Sequence, residues 1–180
     1  MDLKTSTIII FLLWALISCA GEDDPLTSTA LLDMQAWAWQ DADTDPSDHR
    51  PEEVICPDTG WYYEELSKEP TLEVNTQECH YLSVSQPLLA SFKKGDVLFL
   101  RLWHYNLIFP DTEWAHAALY IDGQILWESQ IAIPAEANFL HPEFAAPFDA
   151  EQGVPINFHL HNHGNNTWNL FELSLKGTSD

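Results

Sequence analysis

Basic residues are scarce in this chain: Lys and Arg total 7 against 28 Asp and Glu, a formal charge of −21. A polymer so negative repels phosphate, which excludes nucleic acid and anionic lipid surfaces as partners. Cysteine is nearly absent as well. Cys19, Cys56 and Cys79 are the whole set, with no CxxC pair, so neither a zinc knuckle nor a redox dithiol is present. The chain has no GxSxG elbow, no Gly-rich phosphate loop, no HExxH and no Cys-His-Met copper set, which removes the most recognisable hydrolase, nucleotide and metalloenzyme signatures. No long segment repeats apolar residues with the ~3.6-residue period of a helix, and no apolar run is long enough to span a bilayer.

What the chain does have begins at its amino terminus. Behind Lys4 runs Thr7-Ile8-Ile9-Ile10-Phe11-Leu12-Leu13-Trp14-Ala15-Leu16-Ile17, which matches the apolar core of a secretory signal peptide. It ends in Leu16-Ile17-Ser18-Cys19, which resembles the lipobox of bacterial lipoproteins: a branched apolar residue, a small residue, then cysteine. The resemblance implies a signal peptide over residues 1–18, fatty acylation of Cys19 and a membrane anchor in which each buried methylene contributes ~0.8 kcal/mol. With Ala20 rather than aspartate after the cysteine, it implies the outer membrane or cell surface. Ser18-Cys19-Ala20 also satisfies the small-x-small pattern of ordinary secretion, the competing reading. Export follows from both. Removing residues 1–18 takes away Asp2 and Lys4 together, so the exported part keeps the −21.

Two cysteines then remain, 23 positions apart. In an oxidising compartment the expected state is one Cys56–Cys79 disulfide, whose loop closure stabilises by ~3 kcal/mol.

Residues 19–51 are acidic and rich in Ala, Thr, Ser and Asp, with Trp37 and Trp39 as large apolar markers, and read as a flexible tether carrying the domain over 52–180. Asp41, Asp43, Asp45 and Glu52 have a calcium-loop spacing, but the sixth position, where an EF-hand needs glycine, is Pro46.

Beyond Cys79 the period is two and the runs are rich in Leu, Ile, Phe, Trp and Tyr, with turn residues between them. Expected strands are His80–Val84, Val97–His104, His116–Ile121, Gln124–Ile133, Val154–His161 and Trp168–Leu175, with Leu72–Asn75 as a seventh. Short strands without crossover helices predict an all-β fold, an antiparallel β-sandwich of immunoglobulin-like or jelly-roll type. Asp122-Gly123 suits a type I′ hairpin turn. A plain two-residue turn pairs Tyr120 with Ile125, Ala118 with Trp127 and His116 with Ser129, and continuation through Ile131 and Ile133 assigns that face to the core.

Function is carried by rarer residues. His159, His161 and His163 alternate and share one strand face, while His104 and His116 bracket the loop 105–115. If their strands pair, the five imidazoles form a histidine cluster suited to copper or zinc; the plainer reading is a row on a solvated face. Glu113, Glu128 and Glu172 are the candidates for a glycosidase-type carboxylate pair, with solvated strand edges preferred. Aromatic residues suggest a binding surface: Trp114, in a loop beside Pro110 and Asp111, and Trp168, after the turn Gly164-Asn165-Asn166, are the expected exposed ligand contacts. The leading reading is a noncatalytic, membrane-anchored module that binds an envelope or extracellular ligand. A metal-binding protein and a purely structural envelope protein are the alternatives.

Overall fold

Leu98, Leu100, Leu102 and His104 alternate with Phe99, Arg101 and Trp103, and the first four side chains are fully buried while the other three turn away from the core. This period-two pattern organises the protein. The computed structural model describes residues 28–177, so the apolar leader, the lipobox and Cys19 lie outside the described residues.

Twelve strands form two antiparallel sheets, with no α-helix among the described residues. One sheet has the main order β10 (Glu143–Ala145), β6 (Val97–His104), β12 (Thr167–Leu175), β4 (Glu69–Asn75) and β3 (Trp61–Leu66). Two short strands join it, β1 (Thr29–Ala30) on β12 and β9 (Asn138–Leu140) on β6. The second sheet runs β2 (Ala38–Trp39), β5 (Tyr81–Pro87), β11 (Pro155–His161), β7 (Glu113–Ile121) and β8 (Gln124–Ile133). The β4-β12-β6-β10 run faced by β5-β11-β7-β8 is a jelly-roll, which selects between the two expected sandwich types. The strand number exceeds the expected seven because β3 and four short strands carry too little alternation to stand out.

Between the sheets lie Leu72, Leu82, Val84, Leu98, Leu100, Leu102, Phe158, Leu160 and Trp168, all at most 1% exposed. Cys56 and Cys79 are joined as a disulfide, as expected. Gly164, in the turn between β11 and β12, has φ +93°, and a Cβ there would stand 2.2 Å from the Ile108 carbonyl oxygen, so only glycine fits without a backbone shift.

Three expectations are corrected. Residues 28–51 are not a tether: Leu31, Leu32, Met34 and Trp37 are buried in the core, β1 pairs with β12 and β2 with β5. The domain therefore includes residues 28–51 and not 52 onward alone, because four apolar side chains in an acidic setting are enough to dock the segment.

The β7–β8 register is the second correction. Tyr120 faces Ile125 as expected, but a shift between Leu119 and Tyr120 then pairs Leu119 with Trp127, Ala118 with Glu128 and His116 with Gln130. One extra residue in a bulge moves every later side chain to the opposite face. Ala115, Ala117 and Leu119 therefore enter the core, and His116, Ala118 and Tyr120 face outward. The third correction concerns Trp168, which is 0% exposed and packs its ring 4.6 Å from His104. It is a core residue and presents no surface to a ligand.

Candidate functional site: two outer faces

The outward side of the five-stranded sheet gathers most of the histidines. His159 and His161 on β11 lie opposite Ser83 and Tyr81 on β5, and opposite Ala118 and His116 on β7. Ring centroids run in a chain: His49 to His116 at 5.3 Å, His116 to His159 at 5.1 Å, His159 to Tyr81 at 4.8 Å, Tyr81 to His161 at 5.5 Å and His161 to His163 at 4.8 Å. Four of the five predicted imidazoles are thus brought together. His104 is not among them: it points into the core from the other sheet, its Nδ1 2.8 Å from the Tyr105 carbonyl oxygen, and burial lowers its pKa. The expected pairing of the strands bearing His104 and His116 does not occur, because β6 and β7 belong to different sheets. Among the described residues, no group of three or more His, Cys, Asp or Glu side chains is placed to hold a metal ion.

Residues 40–50 form a strap over this face, and its residues were missed because the stretch reads as linker. Asp45 is its anchor. Its Oδ2 accepts from the Tyr81 hydroxyl at 2.6 Å and from Arg50 Nη1 at 2.7 Å, and its Oδ1 accepts the Ser47 amide at 3.0 Å. Burial works against the Asp45 charge, but these donors outweigh it and hold the carboxyl below its usual range. Arg50 also lies over the rings of Tyr81 and Trp39, at 5.4 and 5.8 Å. Under the strap His159 is 0% exposed with neither ring nitrogen hydrogen-bonded, and burial, reinforced by His116, pushes its pKa down to about 3. Burial and His163 take His161 to about 4. These imidazoles are neutral near pH 7.

Among the described residues, the outward side of the seven-stranded sheet has no such cover. Tyr62, Glu64, Glu73, Asn169, Trp103 and Arg101 share it by register. Trp103 meets Tyr105 at 4.3 Å between ring centroids, and Tyr62, Tyr105 and Phe139 are exposed. Arg101 pairs with Glu69 at 2.6 Å and Glu172 at 3.6 Å, and its guanidinium lies over the neighbouring rings of Phe171 and Phe139, at 5.2 and 5.6 Å. The Tyr62 hydroxyl donates to Glu73 Oε1 at 2.6 Å, which raises the phenol to about 12. Two cavities open here. One of about 640 Å3 lies beside Ala30–Gln35 and is lined by Leu32, Met34, Tyr63, Arg101 and Phe171. The other, about 520 Å3, is lined by Glu64, Glu73, Asn75, Tyr105, Asn165 and Thr167 among others.

The expected carboxylate trio is dispersed. Glu113 and Glu128 sit on β7 and β8, Glu128 being 3.2 Å from His116 Nε2, whereas Glu172 is tied to Arg101 on the opposite sheet. Trp114 is 57% exposed, at the end of β7 on the side of His116.

No protein-family model matches the chain, and no curated protein resembles it in sequence. Solved structures resemble it in architecture. A carbohydrate-binding module with specific mannan recognition shares 8% identity at a TM-score of 0.49, over 85% of this chain and 98% of that one. The K3 cleaved adhesin domain of Lys-gingipain from Porphyromonas gingivalis shares 13% identity at 0.46, over 84% and 100%. The Agl-KA catalytic domain shares 9% identity at 0.47, over 84% of this chain but 28% of that longer chain.

Proposed function

We propose that this protein is an exported, lipid-anchored and noncatalytic module that binds a saccharide of the envelope or surroundings on the outward face of its seven-stranded sheet. One observation carries the reading: the rings of Tyr62, Trp103, Tyr105 and Phe139 share that uncovered face with Glu64, Glu73 and Arg101. Sugars present apolar C–H faces edged with hydroxyls, so aromatic planes flanked by charged hydrogen-bonding groups are the complementary surface. Glu172 lies on the sheet opposite Glu113 and Glu128, so these three carboxylates do not gather around one bond, as a glycosidase pair within ~5–10 Å must.

Glycan-array screening followed by calorimetry tests the reading. Tyr62→Ala and Trp103→Ala are each expected to weaken binding about tenfold, the loss of one stacked ring. Absence of any glycan ligand, or affinity indifferent to both changes, would refute it. The anchor is tested in the precursor: Cys19→Ser is expected to abolish incorporation of labelled fatty acid and to move the protein out of the membrane fraction.

A further inference from the structure

We infer that the outer edge of β8 receives an extended segment of another polypeptide, bearing lysine or arginine, as an added strand. This surface belongs to the sheet opposite the proposed saccharide face and is independent of that reading. The edge of a sheet presents unpaired N–H and C=O groups, so proteins keep edge strands short or charged. Three edges of this sandwich follow the rule. β9 and β10, both beside β6, have three residues each, β2 has two, and β3 carries Glu64 and Glu65 and turns back at Lys68. The fourth edge, β8, does not: it runs ten residues with Glu128 as its single charged side chain and no proline. Leu126 is the extra residue of its bulge, and from Trp127 to Ile133 its ladder with β7 is regular. Among the described residues, no backbone group of 124–133 makes a backbone hydrogen bond outside that ladder. In an antiparallel pair every second residue turns its amide and carbonyl away from the partner, so this regular stretch offers them to a further strand.

Side chains of the added strand also find a place. Trp127, Phe139, Leu140 and Pro142 line a groove of about 340 Å3 between β8 and β9, with Glu128 and His141 in the same lining. Alternate side chains of a strand laid along β8 turn toward this groove, and its rings and rim carboxylate suit the apolar stem and charged head of lysine or arginine. Charge selects the partner. No Lys or Arg occurs from Leu102 to Leu175, a span with nine Asp and Glu. Asp122 and Glu136 are exposed just beyond the two ends of β8 and make no ion pair among the described residues, while Glu128 lies 3.2 Å from His116 Nε2. A second copy would bring −21 against −21, so pairing of β8 with itself is opposed, and a basic segment is drawn to the same edge.

The test titrates the protein calorimetrically with capped octapeptides: one alternating valine and lysine, the same peptide N-methylated at every amide, and one with glutamate in place of lysine. The first is expected to bind at least about tenfold more tightly than the methylated form, which keeps the charge and loses the main-chain donors, and the glutamate peptide is expected not to bind. Hydrogen exchange should slow at residues 127–133 when the first peptide is bound. Gln130→Lys and Ala132→Lys, at exposed positions of the regular stretch, are each expected to weaken binding at least about fivefold, and the pair keeps the test open if one folds poorly. Glu65→Lys, on the edge of the other sheet, should change it by less than about twofold. Absence of binding by the valine–lysine peptide, or protection confined to another strand, would overturn the inference. Equal affinity for the methylated peptide, or an equal loss in Glu65→Lys, would overturn it by reducing the effect to bulk charge. A dimer seen in sedimentation and dissociated by Gln130→Lys would overturn it by seating a second copy on this edge.

Discussion

On the five-stranded sheet the side chains that point away from the core are imidazoles and phenols under a strap, whereas on the seven-stranded sheet they are carboxylates and rings left bare. The difference follows from the charge each group holds near pH 7. Burial keeps His159 in its neutral form, which loses far less on leaving water than an ion would, so it lies roofed over although both ring nitrogens are unpaired. An ionised carboxylate cannot be buried without donors. Asp45 alone enters the roofed region, and it arrives with Tyr81, Ser47 and Arg50 already bound to it. Glu64, Glu69 and Glu73 stay on the open side, where water or a ligand can meet them. One face is a structural seam; the other is available for recognition.

Four experiments break or sharpen that contrast. The largest effect belongs to the core both faces share: Trp168→Ala removes a wholly buried ring and is expected to cost ~3–5 kcal/mol in chemical denaturation, whereas a surface tryptophan would lose almost nothing. Next comes Asp45→Asn, which leaves Arg50 without its partner beneath the strap. A loss of ~2–3 kcal/mol is expected, with early hydrogen exchange at residues 40–50 and unchanged saccharide affinity.

Acidification acts on the roofed face through the same imidazoles. Unfolded histidine takes its proton near 6.5, while folded His159 resists until about 3, so between these values the unfolded chain binds more protons and stability falls as pH falls. From His159 alone the loss is ~2 kcal/mol between about pH 7 and pH 5, and His159→Gln should flatten the slope over that window. A pH-independent stability there would show that the strap does not exclude water from His159. The smallest effect is expected from Trp114→Ala, within ~0.5 kcal/mol of the parent and without influence on glycan binding. Lost binding in that variant would move the recognition surface to the roofed side.

Parts of this arrangement are legible in the letters. Val97–His104 and Gln124–Ile133 have the bounds that alternation and the Asp122-Gly123 turn predict. Leu98, Leu100 and Leu102 on one face also place Arg101 and Trp103 on the other, so two of the residues of the open face can be read from a single strand. The bulge between Leu119 and Tyr120 leaves no mark, since a register slip depends on cross-strand packing rather than on composition. The strap is hidden for another reason: its acidic residues dominate the average, while Leu31, Leu32, Met34 and Trp37, which dock it, are spread too sparsely to form a periodic signal. Trp168 misleads because a turn beside a tryptophan says nothing about which way its ring points.

The covalent ring closed by Cys56 and Cys79 encloses the whole β3–β4 hairpin, and with it Tyr62, Glu64 and Glu73. Among the described residues the hairpin lies at the edge of its sheet, where β3 pairs with β4 alone. With the sulfur link cut, the hairpin would keep its β4–β12 pairing but lose the covalent tie between the segments that enter and leave it, so the proposed binding of a saccharide on this face would become sensitive to thiol reductant.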